Sequence, residues 1–221
     1  MPRGLLGALL PSRWPDLPKR PLVAGKFDRI LELSVGKDVL DCGSIGGDDS
    51  DAAMSRIAYV EVAKRARSCL GVDIQPKAVA RARAHGANIV ECDVERMELG
   101  REFDLIVAAD LIEHLARPGD FLDRARTHLR EAGKLVLVTP NAFALNNLLK
   151  YTLGVEPGVN PEHTCWYDFV TLRQLLERHG FRPEEEYWQD YRVRAPVALA
   201  LRLRPNLASA IIVVAGKGVG R

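Results

Sequence analysis

Four strand-like runs in this chain each stop at an aspartate: Val39-Leu40-Asp41, Gly71-Val72-Asp73, Glu91-Cys92-Asp93 and Ala108-Ala109-Asp110. Short apolar runs that do not alternate with polar residues suit parallel strands covered on both faces. Between the runs, apolar residues recur at helical spacing, as at Met54, Ile57, Ala58, Val62 and Ala66. Strand, helix and strand in alternation require right-handed crossovers, which deliver every strand's carboxyl end to one edge of the sheet. Ligands of such sheets bind outside that edge, so the sequence lines one rim with acids.

The runs DVLDCG (Asp38 to Gly43), CLGVDI (Cys69 to Ile74), NIVECDV (Asn88 to Val94), FDLIVAAD (Phe103 to Asp110) and KLVLVTPN (Lys134 to Asn141) read as five strands. Gln75-Pro76 opens a helix that stops at His85-Gly86, and Pro118-Gly119-Asp120 starts another carrying Phe121, Leu122, Ala125 and Leu129. From Ala142 to Cys165 the chain is irregular, and a helix with Phe169, Leu172, Leu176 and His179 then ends at Gly180. FRPEEEYWQDYRVR and ASAIIVVAGKG follow with no long helix between them, which predicts an antiparallel ending. The expected fold is α/β, a doubly wound and mostly parallel seven-stranded sheet with an antiparallel C-terminal strand.

At 221 residues the chain suits one well-buried domain, read here as residues 1–221. A net charge of +2 gives no electrostatic footprint for nucleic acid. Cys42, Cys69, Cys92 and Cys165 share no CxxC spacing and read as reduced thiols, neither a disulfide framework nor a zinc site. Runs such as Ile211 to Ala215 are far below the ~20 residues of a membrane span. The leader GLLGALL (Gly4 to Leu10) has no small-residue cleavage site after it, so the expected location is cytoplasmic.

VLDCGSIGG (Val39 to Gly47), GVDI and ECDV, with FDLIVAADLIEHL and PGDFLDRARTHLREAGKLVLVTPN after them, resemble the class I S-adenosylmethionine-dependent methyltransferases from about Lys37 to Lys217. That resemblance implies a Rossmann-like methyltransferase fold with S-adenosyl-L-methionine bound by Asp41, Gly43, Ser44, Gly47, Asp73, Ile74, Asp93, Val94 and Asp110. Asp73 would accept the ribose hydroxyls and Asp93 the adenine amine, with Val94 against the base. The alternative for each acid is a helix N-cap. Residues 1–30 would be a leader or lid, 37–141 the cofactor-binding half and 142–221 the acceptor side. The middle glycine of the family's triplet is Ile45 here, and the acidic Asp48, Asp49 and Asp51 follow. Those acids would repel the pyrophosphate of a nicotinamide dinucleotide but tolerate a cationic sulfonium. Their other reading is a solvated N-cap cluster.

Asp110-Leu-Ile-Glu113-His114 looks like the E-x-x-E-H segment of metal-assisted members of that family, among them quinone-biosynthesis O-methyltransferases and small-RNA 2′-O-methyltransferases; the latter add a later histidine, for which His163 is the candidate. The expected catalytic residues are therefore Glu113, His114 and His163. Asp110, shorter than the family's glutamate, and Glu113 with His114 and His163 would form a divalent-cation set for Mg²⁺ or Mn²⁺; otherwise the histidines would act as a metal-free base or be structural. Asn141 is the expected polar contact to the acceptor. Trp166 and Tyr167 either line its pocket or staple the next helix. His179 reads as structural, and Cys165 has no third group to orient it as a nucleophile.

The whole-chain pattern also looks like bacterial stand-alone methyltransferases associated with polysaccharide or secondary biosynthesis. The implied function is O-methylation of a hydroxyl on a sugar, phenol or related small metabolite. An RNA 2′-O-methyltransferase would want a basic aromatic groove, whereas the aromatic fraction is 6% and basic residues are dispersed. A non-catalytic S-adenosylmethionine-binding module is the third reading. Arg192, Arg194, Arg202 and Arg204 flank PVALAL, a short segment better suited to surface packing than to a membrane.

Overall fold

The computed structural model describes residues 19–23, 25, 27–45, 51–157, 160–190 and 203–218, with backbone alone for 51–57. The leader run Gly4 to Leu10, the loop from Gly46 to Asp49 and the apolar run Pro196 to Leu201 with Arg192, Arg194 and Arg202 lie outside the described residues.

In chain order the elements are β1 (Leu22–Val23), α1 (Asp28–Ser34), β2 (Asp38–Cys42), α2 (Asp51–Arg65), β3 (Ser68–Asp73), α3 (Pro76–Ala84), β4 (Ile89–Glu91), β5 (Phe103–Ala109), a 3₁₀ turn (Ile112–His114), α4 (Pro118–His128), β6 (Leu129–Pro140), α5 (Leu145–Thr152), α6 (Phe169–Arg178), β7 (Phe181–Gln189) and β8 (Ala210–Lys217). The sheet order is β1-β7-β8-β6-β5-β2-β3-β4. β8 runs antiparallel to both β6 and β7, while every other pairing is parallel. The direction of winding reverses between β2 and β5, which is the switch point where such sheets take ligands.

Side chains alternate between two apolar layers, as period-two strands require. Leu40, Ile106, Leu135, Leu137, Ile211 and Val213 join one layer with Phe121 and Leu122 of α4 and Phe169 and Leu172 of α6. Val39, Leu105, Val107, Val136, Val138, Ile212 and Val214 join the other with Ile30 of α1 and Tyr59 and Val62 of α2. Fully burying a side chain of this size stabilises by about 1.5–3 kcal/mol, so these two faces carry the fold. The α6 helix begins at a reciprocal cap, in which the Thr171 amide donates to Asp168 Oδ1 and the Asp168 amide to Thr171 Oγ1.

Among the described residues the sheet has eight strands where the sequence predicts seven. The extra one is β1, whose two residues pair with Trp188 and Gln189 of β7 in the stretch read as leader. β6 starts at Leu129 because Phe103 pairs with it before a register break; the regular ladder resumes at Lys134, where the sequence placed the strand. β7 ends at Gln189, and residues 191–194 of the run expected from the sequence lie outside the described residues. β4 ends at Glu91, which leaves Asp93 and Val94 beyond the strand. Among the described residues no helix is long and apolar enough to cross a membrane.

Candidate functional site

The first part of the site is built where β2 leaves the sheet. Asp41 is 8% exposed, and the chain turns at Gly43 with φ +73°. Any other L-residue there would be strained, and a Cβ would also come within 3.1 Å of Leu111 Cδ1. The turn is fastened to β3: the Gly43 amide donates to the Val72 carbonyl at 2.9 Å. The Ser44 hydroxyl donates to the Asp41 carbonyl at 2.6 Å, so its side chain is spent on the turn. Gly47 lies outside the described residues.

Asp73 holds the same turn from below. Its Oδ2 accepts from the Ile45 amide at 3.1 Å and its Oδ1 from the Gln75 amide at 3.0 Å, ahead of α3. The helix itself starts at Gln75 with no side-chain cap and with proline in its first turn. Each carboxylate oxygen keeps a second acceptor site, so the capping contact and acceptance of a hydroxyl are compatible. Burial, and then the neighbouring Asp73 charge, push the Asp41 carboxyl up to about 7. Ile74 is 65% exposed beside this pair and offers an apolar surface.

Asp93 sits in a turn, with Oδ1 accepting from the Glu95 amide at 3.0 Å and Oδ2 3.8 Å from Arg96 Nε. Val94 is 6% exposed and belongs to the core layer with Met97 and Phe121, which leaves Ile74 as the exposed apolar side chain of this region.

The second part of the site lies past β5 and β6. Asp110 has φ +50°, the one positive value among the described non-glycine residues, and its amide donates to the Val138 carbonyl at 2.8 Å. Aspartate tolerates that conformation better than most residues. Glu113 is buried in the following 3₁₀ turn, and its Oε2 accepts from the Thr139 hydroxyl at 2.9 Å. The His114 ring meets the His163 ring edge-on, with centroids 4.6 Å apart at 89°. One ligating atom from each of Glu113, His114 and His163 lies within 4.8 Å of the others. Burial, and then His114, lower the His163 imidazole, while Asp110 and Glu162 oppose that shift. Glu162 Oε2 lies 4.0 Å from His114 Nδ1.

Asn141 is turned inward. Its Nδ2 donates to the Asn206 and Ala208 carbonyls at 3.0 and 2.7 Å, and its Oδ1 accepts from the Phe143 amide at 3.0 Å. A side chain 1% exposed with these bonds braces the chain and does not reach an acceptor, contrary to the expectation from sequence. Tyr167 is likewise a core residue, bridged to Asn141, whereas Trp166 is half-buried. His179 Nδ1 lies 2.7 Å from Asp123 Oδ1 and ties α6 to α4, a structural role as expected. Thr139, Glu162 and Thr164 were not singled out from sequence. The hydroxyl of Thr139 at the end of a buried strand is a signal that could have pointed to it.

A left-handed glycine at the switch point, two buried carboxylates beside it and an acid-histidine turn on the neighbouring strand together define the class I S-adenosylmethionine-dependent methyltransferase fold. The chain belongs to that family: the methyltransferase domain family model matches residues 18–186. S-adenosylmethionine is the family's cofactor, and the site fits it: Gly43 leaves a side chain's space open beside Leu111, and Asp41 and Asp73 suit a cation and hydroxyls.

A probable S-adenosylmethionine-dependent methyltransferase of Mycolicibacterium smegmatis is 28% identical over 167 residues, 72% of this chain and 57% of that protein. A ubiquinone biosynthesis O-methyltransferase of Nitrobacter winogradskyi is 31% identical over 184 residues, 76% of this chain and 66% of that protein. The chain thus spans between about half and two thirds of these relatives' lengths. A S-adenosylmethionine-dependent methyltransferase structure from Archaeoglobus fulgidus superposes with a TM-score of 0.63 at 18% identity, covering 87% of this chain and 91% of that one.

Proposed function

We propose that the chain is an S-adenosylmethionine-dependent O-methyltransferase acting on a hydroxyl of a small acceptor such as a sugar, a phenol or a related metabolite. In this reading, residues 37–141 carry the cofactor and residues 142–221 contribute the acceptor side. The observation that carries it is the convergence of Glu113, His114 and His163 beside the switch-point carboxylates. The ubiquinone biosynthesis O-methyltransferase similarity supports oxygen as the accepting atom.

When bound, the cofactor supplies an electrophilic methyl group on a sulfonium. Asp41 and Asp73 would complement its positive charge and its ribose hydroxyls, and Gly43 would let the backbone approach. Much of the acceleration of an in-line displacement comes from alignment. An oxygen nucleophile must also lose a proton, and an imidazole within reach takes it; such a base contributes typically ~10²–10⁴-fold. Burial keeps His163 in its neutral, proton-accepting form at neutral pH. Glu113, held by Thr139, fixes the turn that presents His114.

The same three side chains favour a second reading. One carboxylate and two imidazoles are a suitable donor set for Mg²⁺ or Mn²⁺, and such an ion would lower the pKa of the acceptor hydroxyl. RNA as acceptor is disfavoured because Arg29, Arg67, Arg117, Arg124, Arg130 and Arg173 each face a carboxylate within the chain and form no open basic groove.

A mass-spectrometric screen for the gain of one methyl group across sugar, phenol and RNA acceptors tests the reading, with His114→Ala and His163→Ala as controls. Loss of turnover with chelator and its return with Mg²⁺ selects the metal reading; chelator-insensitive turnover selects the base. Cofactor binding with no methyl gain on any acceptor would leave only a binding module.

A further inference from the structure

We propose that Thr164 is a positioning residue: its hydroxyl ties the segment 160–167 to the 3₁₀ turn and so sets the His163 ring against His114. The inference deepens the proposed methyl transfer and rests on the role given there to His163.

Thr164 is exposed, so core packing does not call for a threonine at that position. Apart from a 3.8 Å contact of its hydroxyl with Cys165 Sγ, its hydrogen bonds run to the 3₁₀ turn. The amide donates to the Glu113 carbonyl at 2.8 Å. The hydroxyl donates to the Leu115 carbonyl at 2.7 Å, and the Glu113 carbonyl at 3.1 Å shares the same hydrogen in a three-centre bond. Those two carbonyls flank His114 in the chain, so a single residue next to His163 grips both sides of the partner histidine.

On the other side of His163, its amide donates to the Asn160 carbonyl at 3.0 Å and the Glu162 amide to Asn160 Oδ1 at 3.1 Å, which closes a local turn on itself. Those two bonds stay within residues 160–163, and the far end of the segment is held at Tyr167 by its bridge to Asn141. Thr164 supplies the tie to the 3₁₀ turn between them, and the edge-on contact between rings 4.6 Å apart depends on it. Side chains held by their own hydrogen-bonded supports keep a reactive geometry, and a displacement of about 1 Å can cost up to ~10²-fold in turnover.

Thr164→Val keeps the shape and the backbone amide bond but removes both hydroxyl contacts; Thr164→Ser keeps them. The first readout needs no acceptor: in the proton NMR spectrum of the folded protein, the edge-on His114 ring shifts the His163 ring resonances, and His114→Ala identifies that shift. We expect the shift to be lost in Thr164→Val and retained in Thr164→Ser. The second readout is turnover with the acceptor found by the methyl-gain screen. There we expect kcat to fall about tenfold in Thr164→Val with KM for S-adenosylmethionine unchanged, Thr164→Ser to restore it, and no further fall when Thr164→Val is added to His163→Ala. An unchanged ring shift in Thr164→Val, or an equal loss in Thr164→Ser, overturns the positioning role. A His163→Ala protein with undiminished turnover overturns instead the role of His163 on which it rests.

Discussion

The amide of Ile45 donates to Asp73 Oδ2 at 3.1 Å, so the residue standing where the family pattern has a glycine adds a second tie, beside that of Gly43 to Val72, between the turn after β2 and the end of β3. Asp73 thereby serves two backbone amides before any ligand arrives. Asp73→Asn can accept from only one of them. It should cost about 1–3 kcal/mol of stability, the range for leaving a buried donor unmet. It should also weaken S-adenosylmethionine binding at least about tenfold, one tenfold step being 1.4 kcal/mol. Urea unfolding and titration calorimetry check the two effects separately, and wild-type affinity in the variant contradicts the assignment.

Gly43→Ala places a side chain on backbone with φ +73° and 3.1 Å from Leu111 Cδ1. The strain alone is about 1–2 kcal/mol. The added methyl group also narrows the approach to the cofactor. We expect a lower melting temperature and a larger loss of S-adenosylmethionine affinity than the strain accounts for. A variant that loses stability but binds as wild type would show that Gly43 serves the turn alone.

Asp41 gives a pH dependence of definite sign. Its carboxyl is raised to about 7 in the folded chain from an ordinary 3.8, so between these values the folded state holds a proton that the unfolded state has released. Stability of the ligand-free protein should therefore fall as pH rises from about 4 to about 7. A cationic ligand favours the ionised form, so S-adenosylmethionine should bind more tightly as pH rises through 7 and release a proton on binding below it. The thioether product, which lacks the sulfonium charge, should show a weaker trend. Calorimetry in buffers of different ionisation enthalpy counts the proton. Asp41→Asn should flatten the dependence, and a steep slope persisting in that variant would falsify the role of Asp41.

Thr139→Val removes the hydroxyl that donates to the buried Glu113 carboxylate at 2.9 Å while keeping the side chain's shape. We expect a loss of about 1–3 kcal/mol in stability. Turnover should fall with little change in cofactor affinity, because the contact supports the turn that presents His114 and touches neither Asp41 nor Asp73. Equal losses in kcat and in cofactor affinity would place Glu113 in the cofactor site instead.

Much of the sheet was legible because buried parallel strands are written as apolar runs, and β5 shows this plainly in Leu105-Ile106-Val107-Ala108. β1 was not, since a two-residue edge strand has no periodicity and is defined only by its distant partners Trp188 and Gln189. The placing of Asp41 and Asp73 at strand ends and of Gly43 in a turn was legible because strand ends, a turn glycine and an acid recur at readable spacing. The inward turn of the Val94 and Asn141 side chains was not legible, because position at a strand end does not tell which way a side chain turns. Val94 went into the core, and Asn141 closed the turn ahead of β8. The nearness of His114 to His163 came from a resemblance, because no local pattern joins residues so far apart. Thr164 left no trace at all, one hydroxyl among many in an irregular stretch.

The reversed strand β8 has a consequence for how the molecule is made. It pairs with β6 along one edge and with β7 along the other, yet it follows both of them in the chain. Until it emerges, β6 exposes an apolar border, and β7 with its short companion β1 has nothing to join. The flank from β2 to β5 can assemble early during synthesis, whereas the flank of β7 and β1 must wait for β8 to be inserted, so that unfinished edge is where nascent chains of this protein are most open to misassociation.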